Sequence, residues 1–170
     1  MKPDNWIVSG DIISGDVMLV DFGRAKDLGS LSNDTVAKKF QGQVATEGLE
    51  CIAMRNGSPW CFDIDTYGLC VCAHTLLFGN YMEVIQASGK DDMRWKIKNR
   101  LRRYWQTPLW NFFFDCLINN STCEFGEYRE NMKSIRQAFE AHIKSRAEEL
   151  RQLLVNQATM LPKRKNTNCI

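Results

Sequence analysis

The chain has 170 residues, 44% hydrophobic and 25% charged, and its 22 basic and 20 acidic side chains leave a formal net charge of +2. A chain of this size fits one domain and buries roughly 70% of the surface its unfolded form exposes, so the composition excludes disorder over most of the length. Near-neutrality excludes a global field drawing the molecule onto nucleic acid or an anionic membrane, and the start, Met1 to Asn5, has no apolar signal region. The longest apolar run, about Tyr67 to Phe78, is too short and too interrupted to span a bilayer, which predicts a soluble protein.

In chain order, Trp6-Ile7-Val8 and Val17-Met18-Leu19-Val20, separated by Ser-Gly-Asp turn material, predict a small β-hairpin. From Gly29 to about Gly48 no period is sustained, and a loop of that length inside a domain is usually functional. Asp65 to Phe78 is apolar on nearly every side, as expected of a central buried helix, and Gly79 stops it. Shorter helices are expected at about Met93 to Tyr104 and Pro108 to Ile118, the second carrying core aromatics.

A long amphipathic helix is expected from about Glu127 to Asn156, since Tyr128, Met132, Ile135, Phe139, Ile143, Leu150, Leu153 and Leu154 recur largely at three- and four-residue steps. Its stripe breaks at Arg146, which favours packing on its own domain over a coiled coil. Arg100, Arg102 and Arg103 read as a solvated face. Lys163, Arg164 and Lys165 read as a frayed basic tail or a nuclear import signal. The seven cysteines form no C-x-x-C pair, and strings such as Leu69-Cys70-Val71-Cys72 predict reduced thiols packed as small hydrophobes in a reducing compartment rather than a zinc site.

Chemistry concentrates in Lys2-Pro3-Asp4-Asn5 and in Asp21-Phe22-Gly23, which follows an apolar strand. Phosphoryl transfer needs magnesium to neutralise nucleotide phosphates, and magnesium takes hard oxygen ligands such as a carboxylate and an amide carbonyl. Asp21 and Asn5 supply that pair, and Lys2 adds positive charge that acts electrostatically. The two strings in this order, each beside a short strand and followed by a loop and a buried helix, resemble the catalytic loop and metal-binding loop of protein kinases.

The resemblance extends to one family. Val20-Asp21-Phe22-Gly23-Arg24, Cys51-Ile52-Ala53-Met54, Pro59-Trp60, Ile64-Asp65-Thr66-Tyr67-Gly68, Leu77-Phe78-Gly79-Asn80-Tyr81-Met82 and Leu109-Trp110-Asn111-Phe112-Phe113 are similar to the Bub (budding uninhibited by benzimidazoles) serine/threonine kinases of the spindle assembly checkpoint. It implies a mainly α fold, a kinase C-terminal lobe with a small hairpin near the N-terminus, a buried central helix and a long C-terminal helix. Residues 1–158 would be a partial kinase domain and 159–170 a flexible basic tail. ATP and Mg2+ are the implied cofactors, with Asp21 the main metal ligand, Asn5 the second and Lys2 beside the phosphate. Thr46, five residues before Cys51, would set the catalytic loop against the substrate-side surface shaped by Gly48 and Leu49. Asp63 or Asp65 would anchor the catalytic-loop backbone from the central helix. Implied partners are protein substrates and kinetochore checkpoint proteins, with no nucleic acid or membrane. The implied setting is the nucleus and kinetochore, and the cytoplasm outside mitosis.

Departures from the pattern carry expectations too. Ala53 stands where such kinases end the activation segment with a glutamate, so packing must hold that segment. Ser30, Ser32, Thr35 and Thr46 are its hydroxyls, none marked as a phosphorylation site. The catalytic base of H-x-D-x-x-x-x-N falls immediately before Met1, and the nucleotide-covering lobe is also not among these residues. By itself the chain is expected to be inactive, to bind nucleotide at millimolar affinity or not at all, and to expose apolar surface meant for the other lobe. The alternative is a pseudokinase or truncated interaction module of the same family.

Overall fold

The computed structural model describes residues 1–10, 16–31, 35–43, 48–87 and 94–160, which leaves Thr46, Ser32 and the basic string at 163–165 outside the described residues. The expected hairpin forms. β1 (Trp6–Ser9) pairs antiparallel with β2 (Asp16–Leu19), Trp6 opposite Leu19 and Ser9 opposite Asp16. Two strands alone are marginal in water. The base of this pair is fastened by the Trp6 indole N–H, which donates to Cys72 Sγ at 3.2 Å. Further out the apolar side chains stand in solvent, Val8 at 68% and Val17 at 62% exposure. After β2 comes a single helical turn, α1 (Leu28–Leu31).

The loop predicted from Gly29 to Gly48 is tied down where it is described. The Ala37 N–H donates to the Cys123 carbonyl at 2.7 Å, and Phe40 and Trp60 exchange backbone bonds at 2.8 and 2.9 Å. Ala37, Cys61, Phe62 and Cys123 form a small core there, with the Phe62 ring stacked 4.2 Å from Tyr128.

Beyond α2 (Ile52–Arg55) the central helix α3 runs Asp63–Phe78. It starts two residues earlier than the apolar run suggested, because Asp63 and Asp65 in the first turn face the positive end of the helix dipole. It stops at Gly79, whose φ of 76° lets its N–H reach the Thr75 carbonyl at 2.8 Å. Tyr67, Cys70 and Val71 are buried at the centre of the main core with Phe113, Phe114 and Leu117. The expectation that α3 is covered on nearly every side fails at Leu76, which is 89% exposed.

Among the described residues 94–104 the helix expected over Met93 to Tyr104 does not form. Trp95–Ile97 forms β4, paired antiparallel with β3 (Val84–Gln86). Trp95 and Ile97 are half-buried around an exposed Lys96, a period of two rather than 3.6, and the Asn119 side chain holds both the N–H and the carbonyl of Trp95 at 2.7 and 2.9 Å. The next helix, α4 (Thr107–Ile118), matches expectation, with Pro108 in its first turn where a missing N–H costs nothing. The long C-terminal helix is two, α5 (Phe125–Ser145) and α6 (Ala147–Met160), divided at the residue where the apolar stripe breaks, Arg146, with φ −125° and ψ 21°. α5 sends Ile135, Met132 and Phe139 against the main core.

Cys51, Cys70 and Cys72 are buried free thiols, as expected, and burial pushes Cys70 well above the usual thiol range. The expectation of reduced thiols throughout is corrected at Cys61 and Cys123, which are joined as a disulfide.

His74 is fully buried and stacked on Phe78 at 4.4 Å. Its Nδ1 lies 3.0 Å from the Asn80 carbonyl, which fixes the proton on Nδ1, and its Nε2 has no completed hydrogen bond. Burial lowers its pKa from the ordinary 6.5, against the opposing pull of the Asn80 carbonyl and the Asn99 side chain. The unfolded chain therefore takes up this proton first as pH falls. Its contribution to stability is whole above pH about 6.5 and is lost below it. Urea unfolding of wild type and His74→Gln at pH 7.5 and 5.5 is expected to show the larger loss on acidification in wild type.

Candidate active site

The Lys-Pro-Asp-Asn string folds as a 3-10 turn over Pro3–Asn5, closed by the Asn5 N–H donating to the Lys2 carbonyl at 3.2 Å, and runs straight into β1. Val20 leaves β2 by donating its N–H to the Asn5 carbonyl at 2.8 Å, one step past the Trp6–Leu19 pair. That bond puts Asn5 and Asp21 side by side although sixteen residues separate them, and the Asn5 Nδ2 donates to Asp21 Oδ2 at 3.5 Å. Asp21 holds φ at +66°, a left-handed conformation that costs a side-chain-bearing residue roughly 1–2 kcal/mol. Phe22 beside it is exposed. Lys2 is half-buried immediately before the turn.

The turn is seated on α3 by contact too close for any other residue. A Cβ on Gly68 would lie 2.5 Å from the Met1 carbonyl oxygen and 3.0 Å from the Met1 Cβ. The two aspartates at the start of α3 separate in role. Asp63 is buried and accepts the Cys61 N–H at 3.0 Å, so it serves the helix start. Asp65 is exposed, its Oδ1 3.9 Å from the Met1 nitrogen. Partial burial raises the Asp65 pKa.

On the substrate side, Gly48 has φ +84° and donates its N–H to Glu50 Oε2 at 3.0 Å, and Leu49 packs on the main core. Thr46 lies outside the described residues. Where a glutamate was missed at Ala53, a different arrangement holds the chain. The Arg55 Nε donates to the Glu50 carbonyl and its Nη2 to the Tyr67 hydroxyl, both at 3.0 Å, with the guanidinium 5.6 Å from the Tyr67 ring centre. Burial pushes the Tyr67 hydroxyl up to about 12, against the pull of Arg55. Cys51 and Met54 are buried beneath. Arg55→Ala leaves the Tyr67 hydroxyl buried without a partner and is expected to cost about 1–3 kcal/mol, against about 1 kcal/mol for Tyr67→Phe, both read by urea unfolding. Gly48, Glu50, Arg55, Met82, Glu83 and Val84 line an open groove of about 450 Å³ on this side.

The donor set at Asn5 and Asp21 suits a hard cation held only in part by protein. Among the described residues no three His, Cys, Asp or Glu side chains gather. Magnesium is commonly held by one or two carboxylates together with phosphate oxygens and water, so one carboxylate beside one amide fits it. A cation held by these two side chains would take the place of the Asn5–Asp21 hydrogen bond, with the amide offering its oxygen.

No family model matches the chain. The mitotic checkpoint serine/threonine-protein kinase BUB1 of Arabidopsis thaliana is 35% identical over 143 residues, 84% of this chain and 25% of that protein. The spindle assembly checkpoint serine/threonine-protein kinase BUB1 of Saccharomyces cerevisiae is 34% identical over 142 residues, 82% of this chain and 13% of that protein. Among solved structures, a crystal structure of the BubR1 kinase domain superposes with a TM-score of 0.77 at 30% identity, covering 93% of this chain and 46% of that one. The chain belongs to the Bub family of checkpoint kinases. It spans a quarter or less of the length of these curated relatives and about half of the BubR1 kinase domain. The mainly α kinase C-lobe with a small hairpin, expected from the sequence, is the Bub-family fold seen here.

Sequence reasoning missed the Arg55–Tyr67–Glu50 arrangement and the seat at Gly68. Arg55 carried no signal, since one arginine after a short apolar run reads as surface. A signal existed at Gly68: a glycine inside a buried helix costs about 1 kcal/mol and usually marks a close approach.

Proposed function

We propose that the protein containing this chain is a serine/threonine kinase of the spindle assembly checkpoint, transferring the terminal phosphoryl group of ATP to protein substrates with magnesium held at Asn5 and Asp21. The observation that carries the reading is the pairing of these two oxygen-bearing side chains at the mouth of the hairpin, on the fold of the Bub family. Bound magnesium supplies charge neutralisation of the phosphates as they separate. Asp21 and Asn5 orient that charge, and Lys2 adds a fixed positive charge beside the transferring group without moving a proton. The groove at Gly48, Glu50 and Met82 receives the acceptor segment, and Thr46 links it to the catalytic loop.

On this reading transfer also takes a catalytic aspartate and a lobe over the nucleotide, and the exposed apolar face of the hairpin is the surface such a lobe would cover. The chain alone is inactive on this reading. The setting is the nucleus and kinetochore in mitosis, with protein substrates and checkpoint proteins as partners. Among the described residues no helix is long and apolar enough to cross a membrane, and the charge of +2 offers nucleic acid no field.

Ala53 favours a second reading, a pseudokinase or interaction module, because the ion pair that would close the activation segment is missing. Transfer of labelled phosphate from ATP to a serine- or threonine-containing substrate by the full-length protein separates the two. Magnesium-dependent transfer is expected. Partner binding without transfer or nucleotide binding favours the second reading.

A further inference from the structure

Cys61 and Cys123 lie outside the site described above. They are 62 residues apart, joined as a disulfide with Cα atoms 6.0 Å apart, within the span such a bond requires. Their neighbours are the points from which the segment between the Asp-Phe-Gly string and α2 hangs. Ala37 donates its N–H to the carbonyl of Cys123 itself at 2.7 Å, and Phe125 donates to the Thr35 carbonyl at 2.9 Å. Phe40 bonds to Trp60, the residue before Cys61. Residues 35–40 therefore rest on two anchors far apart in sequence, and among the described residues the one disulfide, Cys61–Cys123, cross-links those anchors.

Both cysteines are buried, at 2% and 9% exposure, in the small core that Ala37 completes. Ala37 packs in the same core as both cysteines and its N–H is bonded to Cys123 itself, which ties the position of segment 35–40 to the geometry of the pair. The free cysteines Cys51, Cys70, Cys72 and Cys116 are all held above the ordinary thiol range, chiefly by burial, and none is paired. In proteins of reducing compartments a disulfide is usually transient and redox-sensing rather than structural.

We propose that Cys61 and Cys123 are a reversible thiol–disulfide switch that fixes segment 35–40 against the helical body when oxidised and frees it when reduced. The oxidant is a low-molecular-weight disulfide of the glutathione class. The thiolate of one cysteine attacks it, forming a mixed disulfide and releasing one glutathione thiol. The second cysteine then attacks the protein sulfur of that mixed disulfide, forming the Cys61–Cys123 bond and releasing a second glutathione thiol. Two protein thiols become one disulfide, and their two electrons and two protons leave on two glutathione molecules. The chemistry is independent of the kinase reading, which enters only in the consequence that a substrate-side segment is what becomes fixed.

The test uses the full-length protein equilibrated in glutathione buffers from reducing to oxidising, with linked peptides identified by mass spectrometry and amide exchange followed over residues 35–43. A Cys61–Cys123 linked peptide is expected to appear as the buffer becomes oxidising, with exchange at Ala37 and Phe40 slowed at least tenfold. Cys61→Ser and Cys123→Ser should each abolish that response. The oxidised and reduced wild type can be compared without either variant, so a folding defect in a variant leaves the result decisive. Absence of the linked peptide at every poise, or exchange that is the same in both states, overturns the proposal. Neither readout needs nucleotide or transfer, so failure here is distinct from failure of the kinase reading.

Discussion

Gly68→Ala is expected to destabilise the protein by about 1–3 kcal/mol, the range for overpacking a tight interior. Propensity alone predicts the opposite sign, since alanine is better than glycine in a helix interior by roughly 0.5–1 kcal/mol. Packing wins because the added Cβ would sit 2.5 Å from the Met1 carbonyl oxygen, a backbone atom that cannot rotate away as a side-chain tip can. The start of the Lys-Pro-Asp-Asn turn must then move off α3, and with it Asn5. The control is Gly126→Ala at the start of α5, where nothing lies within 4 Å of the new Cβ. There the substitution is expected to be neutral or stabilising by up to about 1 kcal/mol. Chemical denaturation of both variants in the full-length protein decides the matter, and Gly68→Ala should also lose phosphoryl transfer while Gly126→Ala keeps it.

The large features of the fold were legible because they rest on local pattern. Trp6 to Val20 shows two apolar strings with turn residues between them, and the apolar run ending at Gly79 has both the length of a helix and its stop signal. Asn5 and Asp21 were legible as a pair because each sits at the end of a strand of the same hairpin, so antiparallel pairing alone brings them together. What stayed hidden depends on long-range partners. Trp95–Ile97 is too short to show its period, and its strand conformation is fixed by β3 and by Asn119, 24 residues away. Asp63 and Asp65 could not be told apart from spacing, because burial of the one and exposure of the other depend on what packs around the start of α3. Cys61 and Cys123 meet only because α4 folds back on the central helix, and no sequence spacing announces that.

Asp21→Gly is expected to raise stability by about 1 kcal/mol while removing at least about a hundredfold of phosphoryl transfer in the full-length protein. The two signs have separate causes. Asp21 adopts φ +66°, which glycine takes without the Cβ penalty, so the unstrained residue is the better one for folding alone. The loss of transfer follows from removing the one carboxylate of a two-residue metal site, by analogy with the 10²–10³ cost of deleting a single preorganised stabilising group. A side chain kept in a strained conformation against stability is expected where the strain places a functional group. Asp21→Asn separates the terms: it keeps the tolerance for this backbone and the capacity to bond Asn5, and loses only the charge. Its stability should stay close to wild type while its transfer falls with that of Asp21→Gly. A variant pair in which both lose stability equally and keep transfer would place Asp21 in the scaffold alone.

The most direct test of the central claim is calorimetric titration of ATP into the full-length protein with and without magnesium, in wild type and Asp21→Asn. Binding is expected to weaken at least tenfold when magnesium is withdrawn, and the Asp21→Asn protein to respond no longer to the metal. Nucleotide binding of equal affinity in all four conditions, or none in any of them, would contradict a magnesium site at Asn5 and Asp21.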